Sequence, residues 1–192
     1  LNQKDLSKKG ADMKKNIVLG VCGSIAAYKS AEIIRGLKKN NWDVQVILTK
    51  EATHFITPLT LSMLSGRPVY TEMFDIKDFE EDHISISEFA DIILVAPATA
   101  NIIGKVASGI CDDLLTCVIC AFKGPVVFAP AMNDNMWMNK IVQENVEKLK
   151  KFGYHFIPPE KGLLASGKEG IGRLAETGKI ITFVEEIKKE ER

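Results

Sequence analysis

Asn16-Ile-Val-Leu-Gly-Val21, followed at once by Cys22-Gly-Ser-Ile-Ala-Ala-Tyr-Lys29, is the stretch whose reading decides the fold. Its first six residues form a short apolar run ending near glycine, the pattern of a strand buried on both faces of a parallel sheet. The next eight hold a turn and then helical spacing, with Ile25, Ala26, Ile33, Ile34 and Leu37 forming one apolar stripe up to about Lys39. Residues 43–48, Asp-Val-Gln-Val-Ile-Leu, read as a second strand and complete a strand-helix-strand unit. The alternation then continues: helix over 58–64, strand over 90–96, helix over 101–107, strand over 126–129 and helix over 138–152. Such alternation predicts an α/β fold, a doubly wound parallel sheet in a single domain.

Composition agrees with this reading. The chain has 192 residues, 46% hydrophobic, 26% charged and 7% aromatic, enough for one sizeable core. Lys plus Arg and Asp plus Glu number 25 each, so no basic footprint for nucleic acid is present. The longest nearly unbroken apolar stretch, 114–122, is far short of the roughly 20 residues that cross a bilayer, and no membrane association is expected. Residues 1–14 are polar and lysine-rich without the apolar core of a secretory signal. They are read as an N-terminal extension, with Met13 the expected native start and 15–192 the domain. Four cysteines without a targeting segment suit a reducing cytoplasm. The pair Cys117-Val-Ile-Cys120 lies in an apolar run, no second such pair exists, and His54, His83 and His155 are scattered. The expectation is therefore buried core thiols and no metal site.

In doubly wound sheets ligands bind beyond the carboxyl ends of the strands. After the first strand comes Gly23-Ser24-Ile25, not a full dinucleotide fingerprint, but a helix start with a serine cap that suits one phosphate. The second strand ends in Thr49-Lys50. The strand over 90–96 runs into Pro97-Ala98-Thr99-Ala100-Asn101, where proline is expected to break it, the small residues allow close approach of a flat ligand, and Thr99 and Asn101 offer polar contacts. Asp112 and Asp113 sit at a helix start, as N-caps do. Past the strand over 126–129 lies Pro130-Ala-Met-Asn-Asp-Asn-Met-Trp137, where Asn133 and Asn135 among soft apolar side chains describe a pocket for a polar group beside a sulfur or ring. His83, after Glu80-Glu81-Asp82, is a candidate base near neutral pH. The glycine-rich segment 158–177 holds too many glycines for a stable element and is read as a mobile flap over a site.

Together these segments resemble the flavin-dependent cysteine decarboxylases over about residues 15–190. The likeness is carried by Gly23-Ser-Ile-Ala-Ala-Tyr-Lys29, His83-Ile-Ser85, Pro97-Ala-Thr-Ala-Asn101, Gly109-Ile-Cys-Asp-Asp-Leu-Leu-Thr116 and Pro130-Ala-Met-Asn-Asp-Asn-Met-Trp137. The resemblance implies a Rossmann-like, flavodoxin-type fold, bound FMN, and cytoplasmic homotrimers that assemble further into dodecamers, with each flavin near a subunit interface. It implies decarboxylation of 4′-phosphopantothenoylcysteine to 4′-phosphopantetheine in coenzyme A biosynthesis. In that reaction the cysteine thiol is oxidised to a thioaldehyde, CO2 leaves, and an ene-thiol forms. By matching positions, Gly23, Ser24, Ile25, Thr49, Ala98, Thr99 and Asn101 hold FMN and His83 is the catalytic base. Asn133 binds the substrate carboxylate, while Ala131, Met132, Met136, Trp137 and Arg173 complete the substrate pocket.

The flap reads Gly162-Leu-Leu-Ala-Ser-Gly-Lys-Glu-Gly-Ile-Gly-Arg-Leu174, and Ser166 stands where the resemblance leads one to expect a catalytic cysteine. A hydroxyl is a much weaker acid than a thiol and takes no part in thiol redox chemistry. Alternatives therefore remain at this stage: an oxidative decarboxylase of a peptide C-terminal cysteine that releases the ene-thiol, a flavin prenyltransferase, or a non-catalytic FMN-binding regulatory subunit.

Overall fold

Strand β1 (Lys15–Val21) owes its central place to a sequence apolar on both faces: it pairs in parallel with β2 (Trp42–Leu48) on one side and β4 (Ile92–Ala98) on the other. The structure, a computed structural model, describes residues 15–73 and 83–190. Short edge strands β3 (Val69–Tyr70) and β6 (His155–Phe156) flank β2 and β5 (Val126–Pro130), giving a six-stranded parallel sheet in the order β3-β2-β1-β4-β5-β6. The doubly wound sheet expected from the alternation is present, and its order reverses between β1 and β4.

Alternate residues of each strand feed two apolar layers. Ile17, Leu19, Val44, Val46, Ile92 and Leu94 pack with α1 (Ser30–Lys39), α2 (Pro58–Ser65) and α8 (Thr177–Glu190). Val18, Ile47, Ile93, Val95 and Phe128 pack on the other face with α3 (His83–Phe89), α4 (Ala100–Ser108), α5 (Leu114–Ala121) and α7 (Lys140–Lys151). Polar ties fix the layers in register. Glu185 of α8 accepts from Lys15 Nζ at 2.9 Å and from the indole N–H of Trp42, and Arg67 grips Asp43 of β2 with two bonds of 2.8 and 2.9 Å.

Several local expectations are corrected. The stripe starting at Ile25 does not begin one continuous helix: Ile25–Lys29 is a 3-10 turn, and Ile25 points outward at 60% exposure while Ile33, Ile34 and Leu37 are buried. Pro97 does not end its strand, since β4 runs to Ala98; the pairing with β5 shifts register between Val95 and Ala98, where proline's missing N–H costs no ladder bond. The helix expected over 138–152 is present as α7, capped by Asn139, which accepts from Ile141 N at 2.9 Å; a separate short helix, α6 (Asp134–Trp137), precedes it. The cysteines are mostly not core residues. Cys22 is buried, but Cys111 and Cys120 are exposed and Cys117 is half-buried, because α5 buries Leu114, Leu115, Val118 and Ile119 and turns its thiols the other way.

The flap segment, expected to hold no regular element, contains a two-stranded ribbon. Strand β7 (Glu160–Leu163) pairs antiparallel with β8 (Glu169–Arg173), and Gly167 takes the left-handed φ of 77° that the connecting turn requires. Other glycines here serve close approach. The Gly172 carbonyl accepts from Met132 N at 3.0 Å, and a Cβ at Gly172 would collide with the Met132 carbonyl, so no larger residue lets this strand lie against the loop after β5.

Gly20 in β1 tests the packing of the sheet on α5. A Cβ there would stand 2.6 Å from Leu115 Cδ1, and Leu115 is itself buried. Gly20→Val is expected to destabilise the fold by about 1–3 kcal/mol through overpacking, read as a lower urea midpoint with an unchanged slope.

Candidate functional site

The loops leaving β1, β2 and β4 each open with a hydroxyl residue that caps the following turn or helix. Ser24 Oγ accepts from Ala26 N at 3.3 Å, Thr49 Oγ1 from Ala52 N at 3.4 Å, and Thr99 Oγ1 from Ile102 N at 3.4 Å. All three bonds are long, so these hydroxyls keep capacity for a further partner. The strand order brings them together: Ser24, Thr49 and Thr99 line one cavity of about 510 Å3, with Gly23, Asn101, Asp113 and Met136. Gly23 matters sterically, since a Cβ there would lie 2.5 Å from Glu51 Cβ and push the first two loops apart. At Thr99 the first-turn N–H groups of α4 face the same cleft with the positive end of the helix.

Asp113 was expected to act as an N-cap, and it does. Its carboxylate accepts from Thr116 N at 2.8 Å while Thr116 Oγ1 accepts from Asp113 N at 3.1 Å, a reciprocal capping box. Lys105 Nζ lies 2.7 Å from Asp112 and 2.8 Å from Asp113. Burial alone would raise the Asp113 pKa, but the Lys105 ammonium and the Thr116 donors outweigh it and hold the carboxyl below its ordinary value. A fixed negative charge therefore stands in the cavity wall. The Cys22 thiol in the same wall is pushed up to about 12 by burial and stays neutral at physiological pH.

A second cavity of about 690 Å3 lies between the Ile25–Lys29 turn and the β7–β8 ribbon. It shares Ser24, Ala131 and Met132 with the first, so the two adjoin across the loop after β5. Asn133, Ser166 and Arg173 also line it. Asn133 Oδ1 accepts from Asn135 N at 2.9 Å, which caps α6 and leaves the side-chain NH2 as the group to donate.

The expected site residues thus sort into groups. Gly23, Ser24, Thr49, Thr99, Asn101 and Met136 meet in the first cavity, while Ile25, Asn133, Ser166 and Arg173 meet in the second. Ala98 is buried and lines neither; its carbonyl accepts from Ala131 N at 3.0 Å and braces β4 against β5. Trp137 is half-buried against the α4/α5 layer, and Asn135 is exposed. His83 opens α3, half-buried and away from both cavities, and its acidic neighbours 80–82 lie outside the described residues. Sequence reasoning missed Glu51 and Lys29, which line the first and second cavities. Lys29 ends the motif that begins at Gly23 and Glu51 follows Thr49-Lys50, but nothing in their local sequence marks them as cavity residues.

A family model described as Flavoprotein matches residues 5–188. The chain belongs to the Flavoprotein family. Among its relatives is the coenzyme A biosynthesis bifunctional protein CoaBC of Borreliella burgdorferi, 47% identical over 90% of this chain and 44% of that protein. The chain thus spans less than half the length of that curated relative. A probable phosphopantothenoylcysteine decarboxylase of Streptococcus mutans is 44% identical over 91% of this chain and 99% of its own length. Among solved Flavoprotein-like structures, a cysteine-to-serine mutant of PPC decarboxylase complexed with pantothenoylaminoethenethiol superposes with a TM-score of 0.84 at 34% identity, covering 92% of this chain and 99% of that one. The resemblance seen in the motifs is borne out.

Asp113→Ala removes the cap and one of the two carboxylate partners of Lys105, and is expected to cost about 1 kcal/mol at neutral pH. Because the folded carboxyl titrates below its unfolded value, this contribution is present above the ordinary carboxylate range. It is lost as pH falls through the lower folded value. Denaturation midpoints of wild type and variant should differ at pH 7 and converge below about pH 4.

Proposed function

We propose that this chain is an FMN-dependent decarboxylase acting on 4′-phosphopantothenoylcysteine in the cytoplasm to give 4′-phosphopantetheine for coenzyme A synthesis. The observation that carries this reading is the shared wall of Ser24, Ala131 and Met132, which sets a cleft for a flat phosphorylated ligand directly against a pocket under the β7–β8 ribbon. The donor chemistry of the first cleft fits FMN: hydroxyls from three strand ends, the α4 N-terminus for a phosphate, and apolar Met132 and Met136 for a ring. FMN, when bound, takes up two electrons from the substrate's cysteine side chain and so supplies the electron sink that an α-amido carboxylate lacks.

Around it the protein binds and orients. Gly23, Ser24, Thr49, Thr99 and Asn101 hold the cofactor. Asn133, its amide fixed by the α6 cap, donates to the substrate carboxylate, and Ala131 and Met132 keep water from the junction. The segment 158–177 forms the flap. His83 serves as base to a neighbouring copy in a homotrimer, which accounts for its place away from the cavities of its own chain.

Ser166 at the ribbon's tip favours a second reading, in which turnover stops at the ene-thiol, as in oxidative decarboxylation of a peptide C-terminal cysteine. Mass spectrometry after incubating the FMN-loaded protein with phosphopantothenoylcysteine separates the two. Loss of CO2 alone is expected for complete turnover, loss of CO2 plus two hydrogens marks the ene-thiol, and no change turns attention to peptides. His83→Asn should retain FMN and lose decarboxylation, and Ser166→Cys should raise the yield of saturated product.

A further inference from the structure

The two adjoining cavities carry opposite charge. The charged side chains of the first are Glu51 and Asp113, whereas those of the second are Lys29 and Arg173, with no carboxylate among its lining. Lys29 ends the 3-10 turn on one side of the second cavity, and Arg173 ends β8 on the other. Between them the lining is apolar, including Leu163, Leu164 and Leu174. Such a pocket suits a substrate with an aliphatic arm and an anionic end.

Among the described residues Arg173 pairs with the carboxylate of Glu160, at 3.4 Å. Glu160 is satisfied without it, since Lys179 Nζ donates to the same carboxylate at 2.7 Å and Glu176 N at 3.4 Å. The long Arg173 contact is thus the dispensable one, and the guanidinium can turn to a ligand without orphaning Glu160.

Resting on the decarboxylase reading above, we propose that Lys29 and Arg173 recognise the phosphate end of the substrate and so select phosphorylated over unphosphorylated pantothenoylcysteine. Asn133 holds the carboxylate end at the junction, and the apolar walls take the arm between. Arg173 belongs to the ribbon, so phosphate binding draws the flap against the Ile25–Lys29 turn.

The test compares 4′-phosphopantothenoylcysteine with its unphosphorylated form on FMN-loaded protein, reading binding from the flavin absorbance change and turnover from CO2 release. Wild type is expected to bind the phosphorylated compound at least about tenfold more tightly. Lys29→Gln and Arg173→Gln should each lower that ratio about tenfold, Arg173→Lys should keep part of it, and added salt should reduce it. Equal affinities in wild type, or a ratio unchanged in both glutamine variants, overturn the assignment. Decarboxylation without a phosphate preference overturns the anion site and leaves the activity standing. A preference that the variants abolish, without any CO2 release, supports the site and overturns the activity.

Discussion

Parallel pairing of β1 with β4, from Ile17 opposite Ile92 to Gly20 opposite Val95, is the constraint on which the rest of the molecule depends. The chain leaves β1 to build one half of the sheet and leaves β4 to build the other, so the loops after these strands diverge and a crevice opens between them. Cys22 N donates to the Pro97 carbonyl at 3.2 Å and Thr49 N to the Val21 carbonyl at 3.0 Å, which holds the three strand ends level. Ser24, Thr49 and Thr99 then arrive at one cleft as a consequence of sheet geometry.

The middle of the sheet was readable because β1, β4 and β5 are apolar on both faces, and because Val44, Val46 and Leu48 of β2 alternate with Asp43 and Gln45 over enough residues to show a period of two. The edges were not. β3 and β6 have two residues each, too few for any period to register, and their pairing is imposed by neighbours. The thiols of α5 illustrate a different limit. Cys117 and Cys120 look like core residues in composition, yet which side of a uniformly apolar helix faces the sheet is decided by the neighbouring elements.

The site divides in the same way. Capping residues such as Ser24, Thr99 and Asp113 announced themselves, since a hydroxyl or carboxylate before a helix has a local cause that can be read locally. Lys29, Glu51 and the pairing within the ribbon depend on what stands across a gap, and sequence adjacency carries little of that. The β7–β8 ribbon was hidden among the flap's glycines for a related reason. Flexibility and close approach call for the same residue, and only the Met132 carbonyl beside Gly172 distinguishes them.

That contact also shapes how the two cavities work together. Met132 belongs to both walls, and its backbone N–H is tied at 3.0 Å to Gly172, next to Arg173. A shift of the ribbon is therefore felt at the loop that separates the two cavities. Asn133, the next residue, has its amide oriented by the α6 cap where the loop borders the second cavity. Only the far side of the second cavity, carrying Ser166 on a turn through Gly167, is left to adjust. That division suits the proposed chemistry, in which the acceptor and the carboxylate need a fixed distance while the substrate needs a way in.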